Sequence, residues 1–129
     1  MIKQGKGKAI NISSIGGLLS ARNEMSYDAA KACVPDLTRA FAVELGTHHI
    51  TVNAIAPGIV ETPMTASWLA NRKMVDGFLR TTPLGCLGRP KDIAAAAAFL
   101  AFEDSDFITG QVIVVDEGIL AGGLWVNVI

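Results

Sequence analysis

The 129 residues are half hydrophobic and only 18% charged, with a formal net charge of −1. That balance excludes the basic footprint of a nucleic-acid binder and the polar composition of a disordered chain, and the length suits one domain with a real core. The longest apolar run, 93–102, is too short for a bilayer-spanning helix, which needs about 20 residues, and the basic N-terminus has no continuous apolar segment behind it. No membrane association and a cytoplasmic location are expected.

In chain order, the run KAINIS from Lys8 is bounded by Gly7 and by a Ser/Gly cluster at 13–17, which predicts a buried strand ending in a loop. From Met25 to Leu45 the apolar residues Ala30, Val34, Leu37, Phe41 and Leu45 recur at intervals of three and four, predicting a long helix with that face buried. Pro35 lies in its middle, and proline there leaves the carbonyl of Lys31 without its helical amide donor. The β-rich ITVNAIAPG stops at Pro57 and Gly58 as a second strand. Strand, helix and strand in this order predict a right-handed crossover and a parallel sheet.

Residues 59–88 mix Pro63, Pro83 and glycines with two weakly amphipathic pieces, 66–70 and 73–79. On the carboxyl side of a parallel sheet, an insertion of that length reads as a lid over a ligand crevice. RPKDIAAAAAFLAF opens with Pro90 and Asp92 and continues as a core helix, and QVIVVDEG predicts a third buried strand. The tail 119–129 is apolar and carries Trp125. Cys33 and Cys86 lack metal-ligand spacing, and His48 and His49 are adjacent at a helix-to-strand turn, so reduced thiols and no metal site are expected.

One stretch concentrates chemistry: NISSIGGLLSARNEMSYDAAK, with Ser13 and Ser14 ahead of Tyr27 and Lys31. Tyr27 and Lys31 are four apart and share a helix face. A phenol is a poor base at neutral pH, and a neighbouring ammonium favours the phenolate. A serine hydroxyl that holds a substrate oxygen within reach of the phenol completes a set suited to alcohol and carbonyl chemistry, provided the chain turns back between Ser14 and Tyr27.

From about residue 7 to 118 the sequence resembles the short-chain dehydrogenase/reductase (SDR) family, through GKAINISSIGG, YDAAK, VELGTHHITVNAIAPGIVETPM, PLGCLGRPKDIAAAAAFL and FITGQVIVVDEG in order. The resemblance implies an α/β fold, a Rossmann-like parallel sheet with flanking helices. It implies an NAD(P)-dependent oxidoreductase that interconverts a secondary alcohol and a ketone among small molecules; a homo-oligomer is expected from the high apolar content. In that reading Tyr27 is the general acid/base, Lys31 favours its deprotonated form and bonds the nicotinamide ribose, and Ser14 orients the substrate oxygen while Ser13 points away. Pro57, Gly58, Val60 and Thr62 match the stretch that holds the nicotinamide carboxamide. Asn53 is a structural asparagine, and Arg89 starts a helix.

The resemblance breaks at the family's glycine-rich T-G-x-x-x-G-x-G turn, which would receive the cofactor pyrophosphate, and at an asparagine upstream of the serine strand. Neither has a counterpart, so residues 1–129 read as one partial domain, the C-terminal half of the SDR fold without the dinucleotide-binding half. The choice between NAD and NADP is not legible, and the first strand is expected to be an exposed apolar edge. Glu117 stands where the family has glycine, and Cys86 where arginine is common. The alternative is a catalytically silent fragment, or an interaction subunit that needs a complementary half.

Overall fold

A computed structural model of the chain describes residues 1–122. Of the predicted apolar tail, 119–129, residues 123–129, Trp125 among them, lie outside the described residues. The elements run β1 (Gly7–Ile12), α1 (Met25–Leu45), β2 (Ile50–Pro57), α2 (Ala66–Leu69), α3 (Arg72–Arg80), α4 (Pro90–Ala101), β3 (Val112–Val115) and α5 (Ile119–Gly122). The strands form one parallel sheet in the order β1-β2-β3, with Gly7 opposite Ile50, Ile12 opposite Ile55 and Ala54 opposite Val112. All carboxyl ends therefore open on one side, where α/β sheets bind ligands.

The central strand carries the core. Ile50, Val52, Ala54, Ile55 and Ala56 are all buried, and Ala42 of α1 packs on Ile50 and Val52 with Ala9 and Leu45 beside them. Asn53, 1% exposed, is held by the chain ahead of β3: its Nδ2 donates to Ile108 O at 2.8 Å and its Oδ1 accepts from Gln111 N at 3.0 Å. A buried amide is tolerable only when satisfied in this way, so its role is structural, as expected.

Four expectations about burial need correction. β1 is half-buried rather than buried, with Ile12 49% exposed, because it has a partner on one side only; β3, the other edge, is half-buried for the same reason. In α4 only Leu100 is buried, while Phe99 and Phe102 face outward, so it is a surface helix with one packed face. The predicted stripe of α1 is also not the buried one. Asp28, Pro35, Thr38 and Ala42 face inward, and Leu37 and Phe41 are exposed. Thr38 can be buried because its hydroxyl donates to Val34 O at 2.7 Å and accepts from Asn11 Nδ2 at 3.0 Å. An apolar periodicity cannot anticipate such satisfied polar positions.

The excursion after β2 closes on itself. Residues Val60 and Gly88 form an isolated parallel bridge at its base, and α2 and α3 lie within it where the amphipathic pieces were predicted. Arg89 is the N-cap of α4, with its N–H donating to Asp92 Oδ2 at 2.8 Å. His48 and His49 are exposed, as are both cysteines, which are free. Among the described residues no group of three potential ligands could hold a metal, and no helix is long and apolar enough to cross a membrane.

Candidate active site

The site is assembled where β1 hands the chain to α1. The ladder extends one residue past the strand, with Ser13 N donating to Ile55 O at 2.7 Å. Ser13 was expected to point away, leaving Ser14 as the functional serine. Its side chain, 2% exposed, turns into the helix and donates to the Lys31 carbonyl at 2.9 Å. That carbonyl is the one Pro35 deprives of an amide donor, so the serine satisfies a group the helix cannot. The bond pins the end of β1 to the helical turn that carries Lys31.

Ser14 is extended, and its Oγ accepts from Gly16 N at 3.1 Å, which starts a 3-10 turn over Ile15–Gly17. This turn sends the chain back toward α1. A Cβ added at Gly16 would lie 3.4 Å from Tyr27 Cε1 and 3.5 Å from Ser14 Oγ, so the tyrosine ring and the serine hydroxyl flank the same glycine. Asp28, only 6% exposed, completes the fold-back: its Oδ2 accepts from Ala21 N at 2.9 Å. Its position in the first turn of α1 suits a carboxylate, because unpaired amides give a helix N-terminus positive character.

Tyr27 and Lys31 project together one turn apart. The Lys31 Nζ donates to Ile12 O at 3.0 Å and lies 5.8 Å from the Tyr27 ring centroid, within cation–π reach. Tyr27 is 39% exposed, so its hydroxyl can meet a ligand. The Ser13–Lys31 bond can be tested against Pro35. Ser13→Ala should cost about 1–3 kcal/mol by urea unfolding, the penalty for an unsatisfied buried acceptor. In a Pro35→Ala background the helical amide returns, and the same substitution should cost less than about 1 kcal/mol; equal costs in both backgrounds would show that Ser13 does not compensate for the proline.

The second group of predicted residues lies at the carboxyl end of the adjacent strand. Pro57 ends β2 and Gly58 N donates to Val115 O at 2.8 Å. The bridge uses Ile59 O, accepting from Gly88 N, and Glu61 N, donating to Gly88 O, both at 2.9 Å. The Val60 N–H therefore faces away from Gly88. Thr65 Oγ1 donates to Val60 O at 2.6 Å, accepts from Thr62 N at 3.0 Å and lies 3.2 Å from Thr62 Oγ1, which locks the turn. Among the described residues no hydrogen bond joins this group to Ser14, Tyr27 and Lys31; what they share is the carboxyl end of the sheet. Lys31, with three donors and one given to Ile12, the Tyr27 hydroxyl and the Val60 N–H supply donors, and the Thr62 oxygen, whose proton goes to Thr65 Oγ1, supplies an acceptor; the set fits a nicotinamide riboside, with its ribose hydroxyls and carboxamide.

Sequence reasoning missed two supports, Ser13 and Asp28. The signal for Ser13 was present in Pro35, whose orphaned carbonyl required a partner. Asp28 gave none, since a carboxylate in a first helical turn is ordinarily solvated. Glu117 was noted only as a departure. It has φ 58°, its Oε2 is buried without a hydrogen-bond partner, and burial, reinforced by the charges of Asp116 and then Asp92, pushes its carboxyl up to about 7.

Comparisons with known proteins bear on this arrangement. A family model described as enoyl-(acyl carrier protein) reductase matches residues 1–120. A 3-oxoacyl-[acyl-carrier-protein] reductase of Chlamydia trachomatis is 46% identical over 118 residues, covering 92% of this chain and 47% of that protein. Among solved structures, a gluconate 5-dehydrogenase from Burkholderia cenocepacia in complex with NADP and tartrate is similar at TM-score 0.91 and 33% identity, over 94% of this chain and 48% of its own. A 4-hydroxyisoleucine dehydrogenase complexed with NADH is similar at TM-score 0.90 and 32% identity, over 93% of this chain and 50% of its own. The chain spans about half the length of the relatives it matches.

Proposed function

Because the chain belongs to the short-chain dehydrogenase/reductase family, we propose that it forms the catalytic, nicotinamide-side half of an NAD(P)-dependent oxidoreductase that interconverts a secondary alcohol and a ketone. The observation that carries this reading is the convergence of Ser14 and Tyr27 on Gly16, with the Lys31 ammonium beside the tyrosine ring. In the reductive direction a ketone oxygen accepts from the Ser14 and Tyr27 hydroxyls. Ser14 already receives the Gly16 N–H on its oxygen, which leaves its own proton to donate outward. Tyr27 then gives its proton to the substrate oxygen as negative charge develops there. Lys31, fixed by Ile12 O, stabilises the charge the phenol acquires. When bound, the nicotinamide supplies or accepts the hydride. Its ribose would be held by Lys31 and Tyr27, and its carboxamide by the turn of Pro57, Gly58, Val60 and Thr62. Oxidation of the alcohol runs through the same groups in reverse.

The substrate class is a small-molecule alcohol or ketone. A homo-oligomer is part of the proposal, and Leu37, Phe41 and Val43, exposed on α1, supply apolar surface for it. Titration with NADH and with NADPH, followed by amide resonances, tests the site directly. The signals of Ser14, Gly16, Tyr27, Gly58 and Val60 should move before those of Lys8 and Asp106, which pair at the opposite end of the sheet. Shifts confined to the Lys8 end overturn the reading.

A further inference from the structure

Glu117 stands in a conformation that costs an ordinary side chain energy and places its carboxyl in a tight, unpaired position. Its φ of 58° lies in the left-handed region, which glycine adopts without penalty. Its Oε2 has no hydrogen-bond partner. The same oxygen lies 2.7 Å from where a Cβ on Gly58 would be, and its Oε1 lies 2.5 Å from the corresponding point on Gly88. The carboxyl thus fills the space that two glycines leave open, between the turn after β2 and the segment bridged to it.

We propose that Glu117 is a positioning residue, a wedge between Gly58 and Gly88 that sets the geometry of the turn carrying Val60 and Thr62. This rests on the reading of that turn as the carboxamide site. The backbone around the wedge is otherwise connected: Gly58 N bonds Val115 O, Gly88 N bonds Ile59 O, and the Glu117 carbonyl accepts from Leu84 N at 3.2 Å. A change in how the wedge fits is therefore passed to Val60 through the bridge with Gly88.

The fit depends on charge. Asp116, on the same turn, is 7% exposed, with its carboxylate accepting from Gly118 N and Leu120 N; Asp92, exposed in the first turn of α4, accepts from Arg89 N; Glu61 and Arg89 flank the bridge. The charges acting on Glu117 from Asp116 and Asp92 are negative, and with burial they hold its carboxyl at about 7 rather than 4.5. The folded state thus retains a proton that the unfolded chain loses near 4.5. Stability from this group is complete below that pH, falls as pH rises and is lost above about 7. The neutral carboxyl is the form that seats, and the carboxylate is pushed toward water.

Amide hydrogen exchange and NADPH titration of the chain, each from about pH 6 to about pH 8, test this. Glu117→Gln keeps the wedge and removes the charge, and Glu117→Gly removes the wedge while relieving the backbone. In the wild type, protection of the Gly88 and Glu61 amides, corrected for intrinsic exchange, should fall several-fold across that range. Glu117→Gln should hold the low-pH protection throughout, and Glu117→Gly should lack it throughout while melting no lower than the wild type, a combination a purely structural role would not give. NADPH affinity should fall with the amides in the wild type, and Glu117→Gln controls for titration of the ligand itself. Flat protection in the wild type, or Glu117→Gly exchanging like the wild type at low pH, overturns the proposal. If protection behaves as stated and NADPH is indifferent, Glu117 positions the turn and the cofactor reading of that turn is what fails.

Discussion

On the proposed function, replacing Tyr27 with phenylalanine in a full-length enzyme containing this half is expected to lower turnover by about 10²- to 10⁴-fold, the range that a positioned proton donor contributes, with cofactor titration and thermal stability nearly unchanged. The reason lies in what the substitution removes. The ring is 39% exposed and remains in place against Lys31 and Gly16, so only the hydroxyl is lost. Lys31→Ala should behave differently, weakening cofactor binding as well as rate, because in the proposed function its Nζ, which donates to Ile12 O, also holds the nicotinamide ribose. Ser14→Ala should mainly lower kcat, since the proposed role of its hydroxyl is to orient the reacting oxygen. A Tyr27→Phe variant that keeps more than a few per cent of the rate would remove the tyrosine from the role of acid/base.

Gly17→Ala should be among the most damaging substitutions away from the reacting groups. A Cβ there would lie 2.6 Å from the Lys31 carbonyl oxygen and 2.7 Å from its carbon, and both are helix backbone that no rotamer change can move. Either the Ile15–Gly17 turn lifts or α1 shifts. Both outcomes stretch the Ser13–Lys31 bond and separate Ser14 from Tyr27. Overpacking of this kind costs about 1–3 kcal/mol or more, and here the loss of site geometry adds to it. Gly46→Ala is the control: φ is −58°, the backbone is helical, and a Cβ there meets nothing within 4 Å. It should stabilise by about 0.4–1 kcal/mol through the unfolded chain. Urea midpoints for the two variants that moved in the same direction would contradict this account.

Much of this protein was legible in its sequence because the relevant signals are local. A helix from Met25 to Leu45, strands on either side of it and two short helices in the excursion follow from spacing and from turn residues, and all are present. Tyr27 and Lys31 share a helix face because they are four residues apart, whatever surrounds them. The parallel sheet followed from strand, helix and strand in sequence. What the tertiary structure decided was which of several locally equivalent choices was taken. α1 buries Asp28 and Thr38 rather than Leu37 and Phe41 because Ala21 N and Asn11 Nδ2 supply the partners that make burial possible. Ser13 turns to the helix because Pro35, 22 positions on in the sequence, frees the Lys31 carbonyl. Glu117 is wedged because Gly58 and Gly88 leave room for it. Each of these choices depends on a satisfied or vacated position contributed by a distant part of the chain, and periodicity along one segment carries no information about what another segment will offer.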